Sequence, residues 1–183
     1  MKTPKFKTGD IVCFGDRSWL SRAIKWFTRS RGEPPTKCSH VGLMYDSEMV
    51  CEALRKVRIH PILTRLEESG WRQVYRATGL TKVQRKAIML QCEYYKGKSY
   101  GWWKNLAHAL DGLLGGYVFR RLLFMDRYPV CSWLVAWVYE RCVKHFFFGL
   151  AANAVQPDDI HDACQDGERF TLIFTTTKGK AKC

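Results

Sequence analysis

Three side chains in this chain have the types needed for nucleophilic acyl chemistry: Cys131, His40 and Glu52. Pro129 cannot sit inside a helix but suits its entrance, so Cys131 is expected in a first helical turn, where unpaired N–H groups and the helix dipole favour an anion. A thiolate is such an anion. A helix N-terminus and a nearby imidazolium lower a thiol's pKa from about 8.5 into the range of about 3.5 to 7.5, which makes a nucleophile at neutral pH. First-turn N–H groups, that of Cys131 included, could also hold the oxyanion of a tetrahedral intermediate.

The base and its orienting group are sought on a β-ribbon. His40 opens the apolar run Cys38-Ser39-His40-Val41-Gly42-Leu43-Met44-Tyr45. If residues 46 to 48 form a three-residue hairpin loop, Tyr45 faces Met49 and Gly42 faces Glu52, so His40, Gly42 and Glu52 share one face. Glu52 then lies diagonal to His40, over a glycine that leaves room for the carboxylate. A two-residue loop at Asp46-Ser47 pairs Val41 with Glu52 instead and sends the carboxylate to the opposite face. The triad therefore requires the odd loop. Plainer readings stand beside each residue: cysteine is among the most buried residue types, a strand histidine is commonly structural, and Glu52 could simply pair with Arg55. Cys13, Cys51, Cys92 and Cys142 are read as small buried hydrophobes.

The elements that would position these residues are mostly legible. Ile11 to Phe14 reads as a strand after the turn Gly9-Asp10, and Ser18 to Phe27 as an amphipathic helix with a basic outer face. Residues 30 to 36 read as a loop. Strands are expected over His40 to Tyr45, Met49 to Leu54, Val57 to Ile62 and Trp71 to Tyr75, which suggests an antiparallel meander. Thr81 to Tyr95 reads as a helix with Val83, Ala87, Leu90 and Tyr94 on its apolar stripe. Gly112 to Gly116 breaks order. Cys131 to His145 is a further helix, with Cys131, Val135, Val138 and Cys142 on the stripe that meets the sheet, where a strand-borne base could reach the sulfur. Arg169 to Thr175 would close the sheet.

With these residues in place, the sequence resembles the circularly permuted branch of the NlpC-type, papain-like cysteine hydrolases, which includes the YiiX-like bacterial proteins and the lecithin:retinol acyltransferase-like enzymes. The segments carrying the resemblance are Gly9-Asp10-Ile11-Val12, Ser18-Trp19-Leu20-Ser21-Arg22, Trp26-Phe27-Thr28, Ser39-His40-Val41-Gly42-Leu43, Cys51-Glu52-Ala53, Tyr100-Gly101, Cys131-Ser132-Trp133-Leu134-Val135 and Pro157-Asp158-Asp159-Ile160. Permutation places histidine before cysteine, as here. The resemblance implies an α+β, permuted papain-like fold, an antiparallel β-sheet or small barrel packed against helices, with the nucleophile at a helix N-terminus. It implies Cys131 as nucleophile, His40 as general base and Glu52 as the orienting third residue. Glutamate at that position is closer to the YiiX-like proteins than to the acyltransferase-like members, which carry histidine.

The chain has 183 residues, 46% hydrophobic and 14% aromatic, which bounds it to one domain with a substantial core. Thirty Lys and Arg against seventeen Asp and Glu give a net charge of +13, so the surface should attract polyanions. No secretory signal and no uncharged span of about twenty apolar residues is legible, which predicts a cytoplasmic protein, with action at the envelope left open. The eight cysteines contain no CxxC pair, and Cys38, His40 and Cys51 lack a fourth ligand at a usual interval, so reduced thiols, no metal and no cofactor are expected. The expected substrate is a peptide, amide or acyl ester, cell-wall peptides and lipid acyl groups being the two classes the resemblance offers. Trp19, Trp102 and Trp103 with Leu106 to Phe124 could line an acyl groove or be plain core. A basic binding module, built on Arg17, Arg22, Lys25, Arg29 and Arg31 and the tail residues Lys178, Lys180 and Lys182, is the competing reading. No nucleic-acid motif accompanies that charge, so nucleic acid is disfavoured and a weak contact with an anionic membrane or envelope surface is retained.

Overall fold

The computed structural model describes residues 5–15, 37–68, 70–99, 130–166, 168–177 and 180–182. The helix expected from Ser18 to Phe27, the loop 30–36, the tryptophans at 19, 102 and 103, the Leu106 to Phe124 region and Pro129 lie outside these residues.

Seven strands form one antiparallel sheet: β1 (Ile11–Gly15), β2 (His40–Met44), β3 (Met49–Ala53), β4 (Val57–Pro61), β5 (Trp71–Ala77), β6 (Phe170–Thr177) and β7 (Lys180–Lys182). Their order across the sheet is β4-β3-β2-β1-β5-β6-β7. Among the described residues four helices accompany them: α1 (Ile62–Glu67), α2 (Lys82–Tyr95), α3 (Cys131–Val143) and α4 (Pro157–Gln165), with a 3-10 turn at Phe147–Gly149. The fold class is α+β, an antiparallel sheet packed against helices.

Both sheet faces are covered, which explains why β1 to β3 read as nearly continuous apolar runs. Period-2 alternation divides β1 between them. Ile11 and Cys13 join Val41, Leu43 and Cys51 in the core that contains α2, α3 and α4, while Val12 and Phe14 join Met44, Val50 and Val74 in a second core closed by Ile62 of α1. A helix therefore follows β4 where a longer strand, Val57 to Ile62, is expected from sequence. Pro61 ends the ladder as the N-cap of α1.

Helix α2 starts as its capping chemistry dictates, with Thr81 accepting from the Gln84 N–H and the Gln84 side chain answering the Thr81 N–H. Its buried face is not the predicted one. Ile88, Cys92 and Tyr95 face inward, whereas Val83, Leu90 and Tyr94 are 79%, 56% and 65% exposed. Both sets recur at helical spacing, so periodicity alone cannot choose between them. Edge-to-face packing of Tyr95 on Trp133 fixes the choice in favour of the inner set. The α3 helix ends at Val143, two residues before the expected His145, because Lys144 turns into the left-handed region at φ 58.

Candidate active site

The hairpin between β2 and β3 has the three-residue connection that the triad requires. Tyr45 N–H donates to Met49 O at 2.8 Å, with Asp46 Oδ1 capping the Glu48 and Met49 N–H groups at 2.8 Å each. Gly42 consequently stands opposite Glu52. From that register Glu52 reaches diagonally to His40, and its Oε2 lies 2.7 Å from Nε2 of the ring. Space for the carboxylate comes from the missing side chain at Gly42, where a Cβ would stand 2.8 Å from Glu52 Cγ and 3.1 Å from Cys51 O. Gly42→Ala is therefore expected to push the carboxylate off His40. Its effect should appear as a fall of about tenfold or more in Cys131 alkylation at neutral pH, a misplacement effect of the kind seen when a catalytic group shifts by about 1 Å. An unchanged rate with an unchanged thermal midpoint would remove this role from the glycine.

Cys131 occupies the first position of α3, after Val130 as N-cap. Its thiol is hydrogen-bonded to His40 and receives the backbone N–H groups of Val41 and Ser132. Because Glu52 holds Nε2, the imidazole is left with Nδ1 for the sulfur. The meeting takes place at the start of β2, the strand against which α3 packs. Alternation places His40, like Phe14 beside it, on the α1 side of the sheet, while Cys131 belongs to the core on the α2 and α3 side.

The electrostatics follow from this arrangement. Burial opposes an ionised Cys131, yet the charge and hydrogen bond of His40, with the two backbone donors, lower its pKa below the ordinary thiol value. Burial likewise opposes a charged His40, but Cys131 and then Glu52 outweigh it, and the imidazole is pushed up to about 10. Burial would raise Glu52, and the imidazoles of His40 and His60 together with Arg65 hold it well below the usual carboxylate range. The arrangement thus favours the ion pair, drawing Cys131 toward its thiolate while His40 holds its proton and Glu52 its charge. Five other thiols go the opposite way: burial raises Cys13, Cys38, Cys142 and Cys164, and a hydrogen bond to Cys51 together with burial raises Cys92.

Two residues of this network escape sequence reading. Arg65, on α1, donates from Nε to Glu52 Oε1 at 3.2 Å and from Nη2 to Oε2 at 3.3 Å, and its guanidinium lies 4.8 Å over the Phe14 ring. The expected alternative partner was Arg55; the fork of Arg65 takes that place. His60, on β4, brings Nε2 to 3.1 Å from Glu52 Oε1, without the angle of a hydrogen bond. The one legible signal for α1 was the spacing of Ile62 and Leu66 after Pro61.

Elsewhere, His161 of α4 is buried edge-on against Trp71 and Tyr75, with Nε2 3.2 Å from Gln73 Oε1. Burial, aided by Lys37, lowers its pKa to about 4, so this ring stays neutral. Among the described residues, Asp158, His161 and Asp162 are the one group whose ligand atoms lie close enough together, within 4.8 Å, to hold a metal ion. No helix among the described residues is long and apolar enough to cross a membrane.

No protein-family model matches this chain, and no curated protein does. Among solved structures, the crystal structure of metalloprotein YiiX from Escherichia coli O157:H7, DUF1105, is 21% identical, covering 95% of this chain and 98% of that one with a TM-score of 0.62. The chain is thus similar to YiiX in fold over nearly the whole length of both.

Proposed function

We propose that this protein is a thiol hydrolase that cleaves an amide or ester bond through an acyl-enzyme on Cys131. The observation that carries the reading is the continuous chain of contacts from Cys131 through His40 to Glu52, in which this sulfur, unlike those of Cys13, Cys38, Cys92, Cys142 and Cys164, is driven toward its thiolate. The thiolate attacks the carbonyl carbon, and the Cys131 N–H, free of any intrahelical bond at the first helical position, is placed to receive the oxyanion. As the intermediate collapses, the His40 imidazolium gives its proton to the departing nitrogen or oxygen. Neutral His40 then removes a proton from water, which attacks the thioester and releases the acid. Glu52 holds one orientation of the ring throughout and stabilises its charge. The likeness to YiiX supports the fold on which this reading stands, the permuted papain-like one, and not the chemistry.

A second reading, metal binding, is favoured by the cluster on α4 and by the name of YiiX as a metalloprotein. The residues fit a divalent ion in donor type: two carboxylates, and an imidazole whose Nε2 is engaged by Gln73 as a ligand histidine's outer nitrogen usually is. Cys131 and His40 engage each other instead, so the acyl chemistry needs nothing from that cluster.

One experiment separates these readings. The protein is incubated with a panel of peptidyl and fatty-acyl vinyl sulfones, with and without EDTA, and adducts are located by mass spectrometry. A single adduct on Cys131, unaffected by EDTA, is expected, and the preferred acyl or peptidyl group names the substrate class. Labelling spread evenly over the cysteines, or abolished by chelation, rejects the hydrolase.

A further inference from the structure

At the far end of α3 from the nucleophile, the chain turns through His145-Phe146-Phe147-Phe148-Gly149-Leu150. Phe147 alone is buried, stacked on Phe170 at 6.2 Å and tilted on Tyr139 at 5.6 Å, and it pins the turn to the body of the protein. Its neighbours point the other way. Phe146 is 48% exposed, Phe148 55% and Leu150 38%, so one short turn presents three large apolar side chains to solvent. Phe148 does so at φ 50, a left-handed conformation that is costly for any residue with a Cβ. A Cβ at Gly149 would meet nothing within 4 Å, so the turn is open on that side.

Charges of both signs lie beside this tip, three of them exposed cations. Arg141, Lys144 and Arg169 are exposed, the last with Nη1 3.4 Å from His145 Nδ1; the acids nearest them in sequence are Glu140 and Glu168. The chain as a whole carries +13. A tip of five residues cannot supply the roughly 800 Å² that each partner contributes to a standard protein interface. Aromatic and aliphatic side chains on a protruding turn, flanked by Lys and Arg, do suit the boundary between headgroups and acyl chains, where a few apolar groups bury about 5–10 Å deep and cations meet anionic headgroups.

We infer that the Phe146 to Leu150 turn is a membrane-docking tip for anionic bilayers. Because α3 rises about 1.5 Å per residue over its thirteen residues, docking leaves the Cys131 end roughly 20 Å from the tip. The inference does not depend on the hydrolase reading.

The test is co-sedimentation of the full chain with vesicles of phosphatidylglycerol and phosphatidylcholine against vesicles of phosphatidylcholine alone. Wild type is expected to bind the anionic vesicles, less so as salt rises, and the Phe146→Ser, Phe148→Gly double variant to bind them at least about tenfold more weakly. The glycine suits φ 50, so this variant should keep or raise the thermal midpoint and keep its Cys131 labelling rate. Wild type that ignores anionic vesicles, or a double variant that binds them within about twofold of wild type, overturns the inference. So does a vesicle-free dimer that the same two substitutions convert to monomer, which would assign the tip to a second copy of the chain.

Discussion

Replacing Cys131 with serine is expected to reduce hydrolysis of an activated acyl ester such as a p-nitrophenyl ester by at least about a thousandfold, since removing the nucleophile of a comparable catalytic unit costs up to about a millionfold. The substitution nearly conserves volume at a site that is only 6% exposed, so the thermal midpoint should change little. The effect is chemical rather than structural: His40 and the two backbone donors can drive a thiol to its anion, whereas a hydroxyl starts too far from ionisation. The pH dependence carries the same signature in the wild type. A folded-state pKa below the ordinary thiol value keeps the thiolate present as pH falls beneath about 8.5, and the imidazolium persists until pH rises through about 10. The rate should therefore hold a plateau between these limits, losing the nucleophile on the acid side and the general acid on the alkaline side. In His40→Ala, burial acts on Cys131 unopposed by the imidazolium, and iodoacetamide labelling at pH 6.5 should drop to the level of the other buried cysteines. Persisting fast labelling of Cys131 in that variant would break the link between the two residues.

What sequence could and could not reveal about this site follows the range of each interaction. The register of β2 on β3 was narrowed to two choices because a hairpin is local: a two-residue loop pairs Val41 with Glu52, and the three-residue loop the structure has puts His40 and Glu52 on one side. The place of Cys131 at a helix start was legible for the same reason, from one proline two residues upstream. Arg65 was not, because between β4 and β5 only the spacing of Ile62 and Leu66 after Pro61 hints at a helix rather than a strand extension, and the fork it offers Glu52 exists only once α1 has packed on Phe14. The inner face of α2 was misread for a related reason. Two apolar stripes compete on that helix, and the winner is set by Trp133, thirty-eight residues beyond Tyr95. The side from which the sulfur meets the ring also depends on packing, since a helix stripe tells which residues face the sheet but not where along a strand they land.

The second large effect belongs to Glu52, which has no exposed surface and sits among His40, His60 and Arg65. Removing one member of a buried ionic cluster typically costs about 3–5 kcal/mol, because the remaining charges stay buried without compensation. Glu52→Gln keeps the shape but turns one acceptor into an amide donor facing Arg65 or an imidazole, so a loss of about 3 kcal/mol is expected, or roughly 6–12 °C in thermal midpoint for a chain of this size. The sign with pH is fixed. Since the folded pKa of Glu52 is depressed, its contribution is present above the unfolded carboxyl value near 4.3 and is lost as pH falls through the lower folded value, so wild type and Glu52→Gln should converge in acid. Alongside stability, loss of the carboxylate lets the His40 pKa fall, so the hydrolysis plateau should shrink on its alkaline side and Cys131 labelling at neutral pH should slow. Adding Arg65→Met to Glu52→Gln removes the stranded guanidinium, so the double variant should recover part of the lost stability while labelling stays impaired. That split between stability and labelling is the discriminating result: a carboxylate that merely neutralised Arg65 would have both restored together, and a Glu52→Gln protein with the wild-type midpoint and wild-type labelling would exclude Glu52 from the site altogether.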